Sequence, residues 1–338
     1  MTVPSKHPAT RLSVAPMMDW TDRHCRYFHR RLSGRARLYT EMVTAPALVR
    51  GEAVHLLAFD PAEQPLALQL GGSDPAELAA ATRLAADRGY AEVNLNVGCP
   101  SDRVQSGCFG AVLMGWPQLV ADCVAAMQDA ADVHVSVKCR IGIDDQNPDV
   151  ALPAFLEAVS KAGVGRFIIH ARKAWLEGLS PKENRDIPPL DYDLVHRMKA
   201  AFPQLVIEIN GGFTDLGAVG AQIAAGLDGV MVGRAAYHTP AEILLNADSR
   251  IFGDTDPLET PHAAARAMLP YIEHELSAGT RLHSITRHML GLFAGRPGAR
   301  GWRRTLSEKA HAPGAGPEVV EMALAVVPEV SAAAAHIA

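Results

Sequence analysis

The sequence predicts an α/β protein, a (β/α)8 TIM barrel over residues 1–246 followed by a small all-helical domain over residues 247–338. Three observations lead there. Eight short apolar, β-branched runs alternate with longer amphipathic stretches, and parallel strands need a helical crossover between them. Eight such units in roughly 230 residues match the size of this barrel. Beyond about residue 245 the strand-like runs cease and only helical patterns follow.

In chain order, the runs that read as strands are residues 12–17, 37–42, 66–71, 92–98, 134–141, 166–171, 206–211 and 229–233. Helical periodicity fills 75–88, 117–131, 151–162, 192–201 and 216–225 between them. An open doubly wound sheet is the competing arrangement. The near-even spacing and the lack of an early Gly-rich nucleotide turn disfavour it. The second region reads as helices 261–277, 282–295, 302–309 and 317–335, punctuated by Arg296-Pro297-Gly298 and Ala312-Pro313-Gly314.

Composition narrows the function classes. With 48% hydrophobic and 20% charged residues, the 338-residue chain is neither disordered nor fibrous. No apolar run approaches the ~18–20 residues of a membrane span, and residues 1–11 contain no apolar core of a signal peptide. Five cysteines without a CxxC pair argue against a disulfide framework or a four-cysteine metal site. A reducing cytoplasm, no bound metal and no membrane are the expectation. Charge is uneven: residues 281–309 hold seven basic side chains and one acid, a net +6 in a chain of net −5. Such a segment is either a polyanion-binding surface or a solvated helical face.

In a barrel of this kind chemistry sits at the C-terminal ends of the strands. Strand 1 ends in Pro16-Met17-Met18, strand 3 carries Gln69, strand 4 ends Asn96-Val97-Gly98-Cys99-Pro100, and strand 5 carries Lys138. Strand 6 ends His170-Ala171-Arg172, strand 7 Asn210-Gly211-Gly212 and strand 8 Gly233-Arg234. Glycines after strands 7 and 8, a following helix start and the Arg234 guanidinium make a phosphate site. Lys138 can steady an anionic reduced flavin ring or act as a Schiff-base nucleophile. Gln69 can donate and accept at a polar ring edge. Met17 and Met18 suit either a soft apolar contact or the core. Cys99 lies where its strand must stop, so its thiol faces the barrel mouth. A thiol of ordinary pKa near 8.5 is protonated at neutral pH and suits a proton donor. Cys108 is its rival.

These residues carry a resemblance. The segments 15–19, 94–114 (NLNVGCPSDRVQSGCFGAVLM), 137–142, 169–172, 182–189 (KENRDIPP), 210–212, 232–235 and 288–304 resemble the tRNA-dihydrouridine synthases of the A-type subfamily, over residues from about 10 to 310. Val112 and Cys108 fall at variable places in that pattern, and the alanine-rich tail after Ser307 matches nothing. The resemblance implies an FMN-containing barrel, a helical tRNA-binding domain, NADPH (or NADH) as a transient hydride donor, and reduction of D-loop uridines 20 and 20a. It implies Cys99 as the proton donor to uracil C5 and Asn96 as a uracil ligand. His170 and Arg172 complete the flavin and uracil surroundings. For tRNA it implies Lys182 and Arg185 on the barrel, with Arg300 and Arg303, three apart on one helix face, on the second domain. No protein partner is implied. Two other functions remain: a small-molecule flavin reductase of the dihydroorotate or dihydropyrimidine dehydrogenase type, and a non-catalytic RNA-binding barrel.

Overall fold

The computed structural model describes residues 11–51, 53–101 and 108–329. Eight parallel strands form one sheet: β1 (Leu12–Val14), β2 (Leu38–Thr44), β3 (Leu66–Gly71), β4 (Glu92–Val97), β5 (His134–Arg140), β6 (Arg166–His170), β7 (Val206–Asn210) and β8 (Gly229–Val232). Each pairs with its sequence neighbour from β2 to β8, and β1 pairs with β8. A single bridge, Ser13 to Arg37, closes the ring next to β2. All eight expected strands are present, within a few residues of their expected ends.

Strand period 2 then sorts the side chains. Val93, Leu95 and Val97 of β4 and Val135, Val137 and Cys139 of β5 join the apolar layer between the sheet and its helices. That layer's helices are α1 (Arg23–Leu32), α2 (Ala45–Val49), α3 (Pro75–Asp87), α4 (Pro117–Ala130), α5 (Pro148–Lys161), α6 (Tyr192–Ala201), α7 (Leu216–Ala224) and α8 (Arg234–His238). The alternate residues fill the barrel: a charged floor of Arg37, Glu92, Arg166 and Glu208, a middle of Tyr39, Ala67, Ile168 and Met231, and a polar top.

Beyond β8 the described residues are helical: α9 (Pro240–Leu244), α10 (Pro261–Arg266), α11 (Leu269–Ser277), α12 (Leu282–Thr286), α13 (Ala299–Lys309) and α14 (Glu318–Leu324). The continuous helix expected over 261–277 is broken at 267–268. Pro270 has no N–H and its ring obstructs the preceding turn, so a new helix starts there. Helix is lost after 286 rather than 295. From there to 298 the chain runs in turns, with Gly295 and Gly298 at φ 76° and 83°, where glycine is strongly favoured. Gly291 lies so close to the barrel that a Cβ would sit 2.3 Å from the His238 carbonyl oxygen. The expected helix 317–335 ends at Leu324, and its residues 330–335 lie outside the described residues.

The helical region packs on α1 through polar and aromatic contacts. Tyr271 stacks on Tyr27 at 3.9 Å and bonds His24 at 2.7 Å, while Glu275 pairs with Arg23 at 2.5 Å. Asp22 caps α1 by accepting from the His24 and Cys25 N–H groups, and its other oxygen takes Arg287 at 2.6 Å and faces His288 at 3.0 Å. Burial opposes that charge, but His288, the Cys25 N–H and Arg287 hold the carboxyl well below its usual range. Trp302, fully buried, donates to the Met289 carbonyl and meets Phe293 edge-on. Among the described residues no helix is long and apolar enough to cross a membrane.

Candidate active site

A cavity of about 620 Å³ opens at the C-terminal ends of the strands. Of the residues expected in a site, Pro16, Met17 and Met18 line it from the β1 end, and Gln69, Asn96 and Cys99 from β3 and β4. Lys138 and His170 enter from β5 and β6, and Asn210, Gly211, Gly212, Gly233 and Arg234 from β7 and β8. Arg185 reaches it from the loop after β6. Arg172, Lys182, Arg300 and Arg303 do not line it.

A directed chain of hydrogen bonds fixes the groups around Cys99. The Gly98 and Cys99 N–H groups donate to Asn96 Oδ1 at 3.0 and 2.9 Å. Because that oxygen is committed, Asn96 Nδ2 is the donor to Gln69 Oε1 at 2.9 Å. Gln69 Nε2 in turn donates to Asn94 Oδ1, and Asn94 Nδ2 to Ser136 Oγ, both at 2.8 Å. Ser136 donates to Glu92 at 2.6 Å. A carboxylate only accepts, so the chain has one sense from end to end. The Cys99 thiol itself is half-buried, with Ser101 Oγ 3.6 Å away as its hydrogen-bond acceptor. Cys108 is exposed, with φ 55°.

Three basic groups stand beside it. The Lys138 ammonium makes no hydrogen bond or ion pair with the described residues. Burial, and then the neighbouring Arg140, bring its pKa from 10.5 down to about 8, so it is a cation at neutral pH with its charge turned to the cavity. Arg140 donates to the carbonyls of Gly98, Lys173 and Asn184 and thereby ties the loop after β4 to the loop after β6. His170 is buried, and burial together with Arg140 and Lys138 drives its pKa far down, leaving a neutral imidazole. Its ring packs on Gly211, where a Cβ would come within 2.9 Å of it. Gly211 and Gly212, at φ 121° and 81°, are positions for glycine on both steric and conformational grounds.

The helix starts expected to support an anion contribute little. The helix after β8 has only five residues, and the N-terminus of α7 is already capped by Asp215. What these strand ends offer is loop backbone and Arg234, which pairs with Asp186 at 2.7 Å with both side chains 44% exposed. Arg172 turns away from the cavity and donates to the Asp186 and Pro188 carbonyls, holding the loop after β6. Lys182 is exposed on that loop. Arg300 and Arg303 are exposed on α13 with no partner among the described residues, and lie on one helix face.

Sequence reasoning assigned no role to Arg140 or Trp20, which also line the cavity. Arg140 was signalled by its position two residues after Lys138 on one strand, hence on one face. Trp20 carried no such signal. It is brought in by a tight turn in which the Trp20 and Thr21 N–H groups both donate to the Met17 carbonyl and Asp19 sits at φ 64°. Trp20 stacks on Tyr237 at 4.6 Å.

The sequence model of the dihydrouridine synthase family matches residues 13–327. A tRNA-dihydrouridine(20/20a) synthase of Vibrio cholerae serotype O1 is 57% identical over 319 residues, 94% of this chain and 97% of that one. Proteins of the same name from Escherichia coli strain K12 and Salmonella typhimurium strain LT2 are 59% and 58% identical, over 95% and 96% of this chain and 92% and 98% of theirs. The chain therefore belongs to the dihydrouridine synthase family.

Proposed function

We propose that this protein reduces the C5=C6 bond of D-loop uridines 20 and 20a in tRNA. In this reading residues 1–246 are the catalytic unit and 247–338 the tRNA-binding unit of a cytoplasmic enzyme. The observation that carries it is the meeting of the Cys99 thiol, the Lys138 ammonium, unpartnered among the described residues, and two glycine turns in one cavity.

The residues present suit FMN. A half-buried cation without a counter-charge among the described residues suits the electron-rich edge of a flavin, and the glycine turns leave room that a Cβ would close. Lys138 and Gln69 would hold the polar edge of the ring, Pro16, Met17 and Met18 its apolar side, and neutral His170 and Asn210 its flank. Gly211, Gly212, Gly233 and Arg234 would hold the phosphate. When bound there, FMN would supply hydride chemistry at uracil C6, with NADPH or NADH as the reductant.

The rest falls to the chain. Addition at C6 leaves negative charge spread toward the C4 carbonyl, and C5 must take a proton. Cys99 gives it, from a backbone position fixed by Asn96. The second N–H of Asn96 and the Arg185 guanidinium are left to hold the uracil. Arg172 contributes indirectly, by fixing the loop that carries Lys182 and Arg185.

Incubating the purified protein with NADPH and an unmodified tRNA transcript, then mapping dihydrouridine by mass, tests this. Conversion at positions 20 and 20a is expected. A yellow protein that oxidises NADPH but leaves every uridine intact would be a small-molecule flavin reductase. A colourless protein that binds tRNA would be a binding module.

A further inference from the structure

A second concavity, of about 350 Å³, lies on the seam between barrel and helices. Its barrel wall is Tyr237 and His238, at the end of α8, and its helical wall is Arg287, Leu290, Gly291 and Arg303. It is not isolated from the active cavity. Trp20, which lines that cavity, stacks face to face on Tyr237 at 4.6 Å and meets His238 edge-on at 4.9 Å. The Trp20–Tyr237 stack is thus shared between the walls of the two spaces.

The chemistry of the groove is that of a nucleic-acid subsite. Aromatic rings offer a stacking face that any base accepts, and guanidinium groups meet the phosphate. Arg303 has no carboxylate partner among the described residues. Arg287 is anchored by Asp22 at 2.6 Å, and the charge Asp22 cancels there is one of two. Arg300 and Arg304, also without partners among the described residues, continue the positive surface along α13. The ring wall is stiffened from behind by His288, edge-on to Tyr237 at 5.8 Å and fully buried.

We propose that this groove is a separate single-nucleotide subsite. It takes the nucleotide next to the target uridine, with its base against His238 and Tyr237 and its phosphate on Arg303, while the target turns into the barrel on the other side of the Trp20–Tyr237 wall. This rests on the tRNA reading above. A wall between consecutive nucleotides parts the target from its neighbour and holds it unstacked.

The test places a photoreactive p-benzoylphenylalanine at position 238 of the full-length, flavin-loaded protein, irradiates it with unmodified tRNA transcript, and maps the crosslinked nucleotide against the uridine that the wild-type enzyme converts. A crosslink within one or two nucleotides of the converted uridine is expected. A crosslink elsewhere in the tRNA, or none from a protein that still binds tRNA, overturns the subsite and leaves the enzyme reading intact. A wild-type enzyme that converts no uridine sinks both. In steady-state kinetics Arg303→Ala should raise KM for tRNA by about tenfold with kcat within about twofold, and Arg303→Lys should recover most of the loss. Equal falls in kcat for both variants, with KM unmoved, would contradict a binding role for Arg303.

Discussion

The two ends of the barrel interior are both polar, yet they are built to opposite rules. At the floor every charge has a counter-charge. Glu92 accepts from Arg166 at 2.7 Å and Tyr39 at 2.9 Å and pairs with Arg37 at 3.0 Å, while Glu208 takes the other arm of Arg166 and the Ser13 hydroxyl. Burial pushes Glu92 toward protonation, but Arg166 and Arg37 outweigh it and keep it ionised. At the top, Lys138 is a cation with no partner among the described residues and Cys99 keeps a half-buried thiol open to the cavity. The floor balances its charges internally. The mouth leaves valences for something else to satisfy. A charged residue inside a barrel is thus not by itself a sign of function; one whose charge is left uncompensated is the stronger sign.

This contrast predicts that damage at the mouth costs chemistry and damage at the floor costs stability. Cys99→Ala should lower turnover by roughly 10²–10⁴-fold while flavin content, tRNA binding and melting temperature hold, and Cys108→Ala should remain largely active. Single-turnover assays on both variants check it, and the reverse pattern would move the proton donor to Cys108. Glu92→Ala leaves Arg166 and Arg37 short of a counter-charge and should cost about 3–5 kcal/mol of folding stability, read by denaturant titration. A variant as stable as wild type would mean that the floor network is not what holds the barrel.

Lys138→Met should separate the two effects within one residue. The folded-state pKa of about 8 lies below the usual 10.5, so the folded chain resists the proton that the unfolded chain keeps. Below pH 8 wild-type Lys138 is therefore destabilising, and methionine should raise stability there by on the order of 2 kcal/mol. The advantage should vanish as pH climbs from 8 to 10.5, where wild type folds with a neutral amine. Activity should fall at every pH. A methionine variant no more stable than wild type at pH 7 would show that Lys138 already has a partner in solution.

The eight strands were legible because short apolar or β-branched runs alternate with helical patterns, and the mouth was legible because barrel topology alone says which strand ends face the ligand. Even the inward stripe Glu92, Asn94, Asn96 follows from a period of two. What periodicity lacks is the register between strands, so the chain from Cys99 through Gln69, Asn94 and Ser136 to Glu92 was hidden although every member was in view. Side-chain direction in loops was also out of reach. Arg172 and Arg140 are alike in sequence, yet one turns to the Asp186 and Pro188 carbonyls outside the cavity and the other spans two loops along its wall. The turns after α12 carry Gly291, whose close neighbour, the His238 carbonyl, is 53 positions away in the chain.

That contact at Gly291 has a consequence for the substrate. At this point of the seam backbone meets backbone, with no side chain between to re-pack. The span from the reacting thiol to the arginines of α13 would then, on the proposed reading, act as a caliper of set opening. On the proposed reading the enzyme would choose its uridine by distance along a folded RNA rather than by the letters around it, and even one methyl group at position 291 would be enough to reset the gauge.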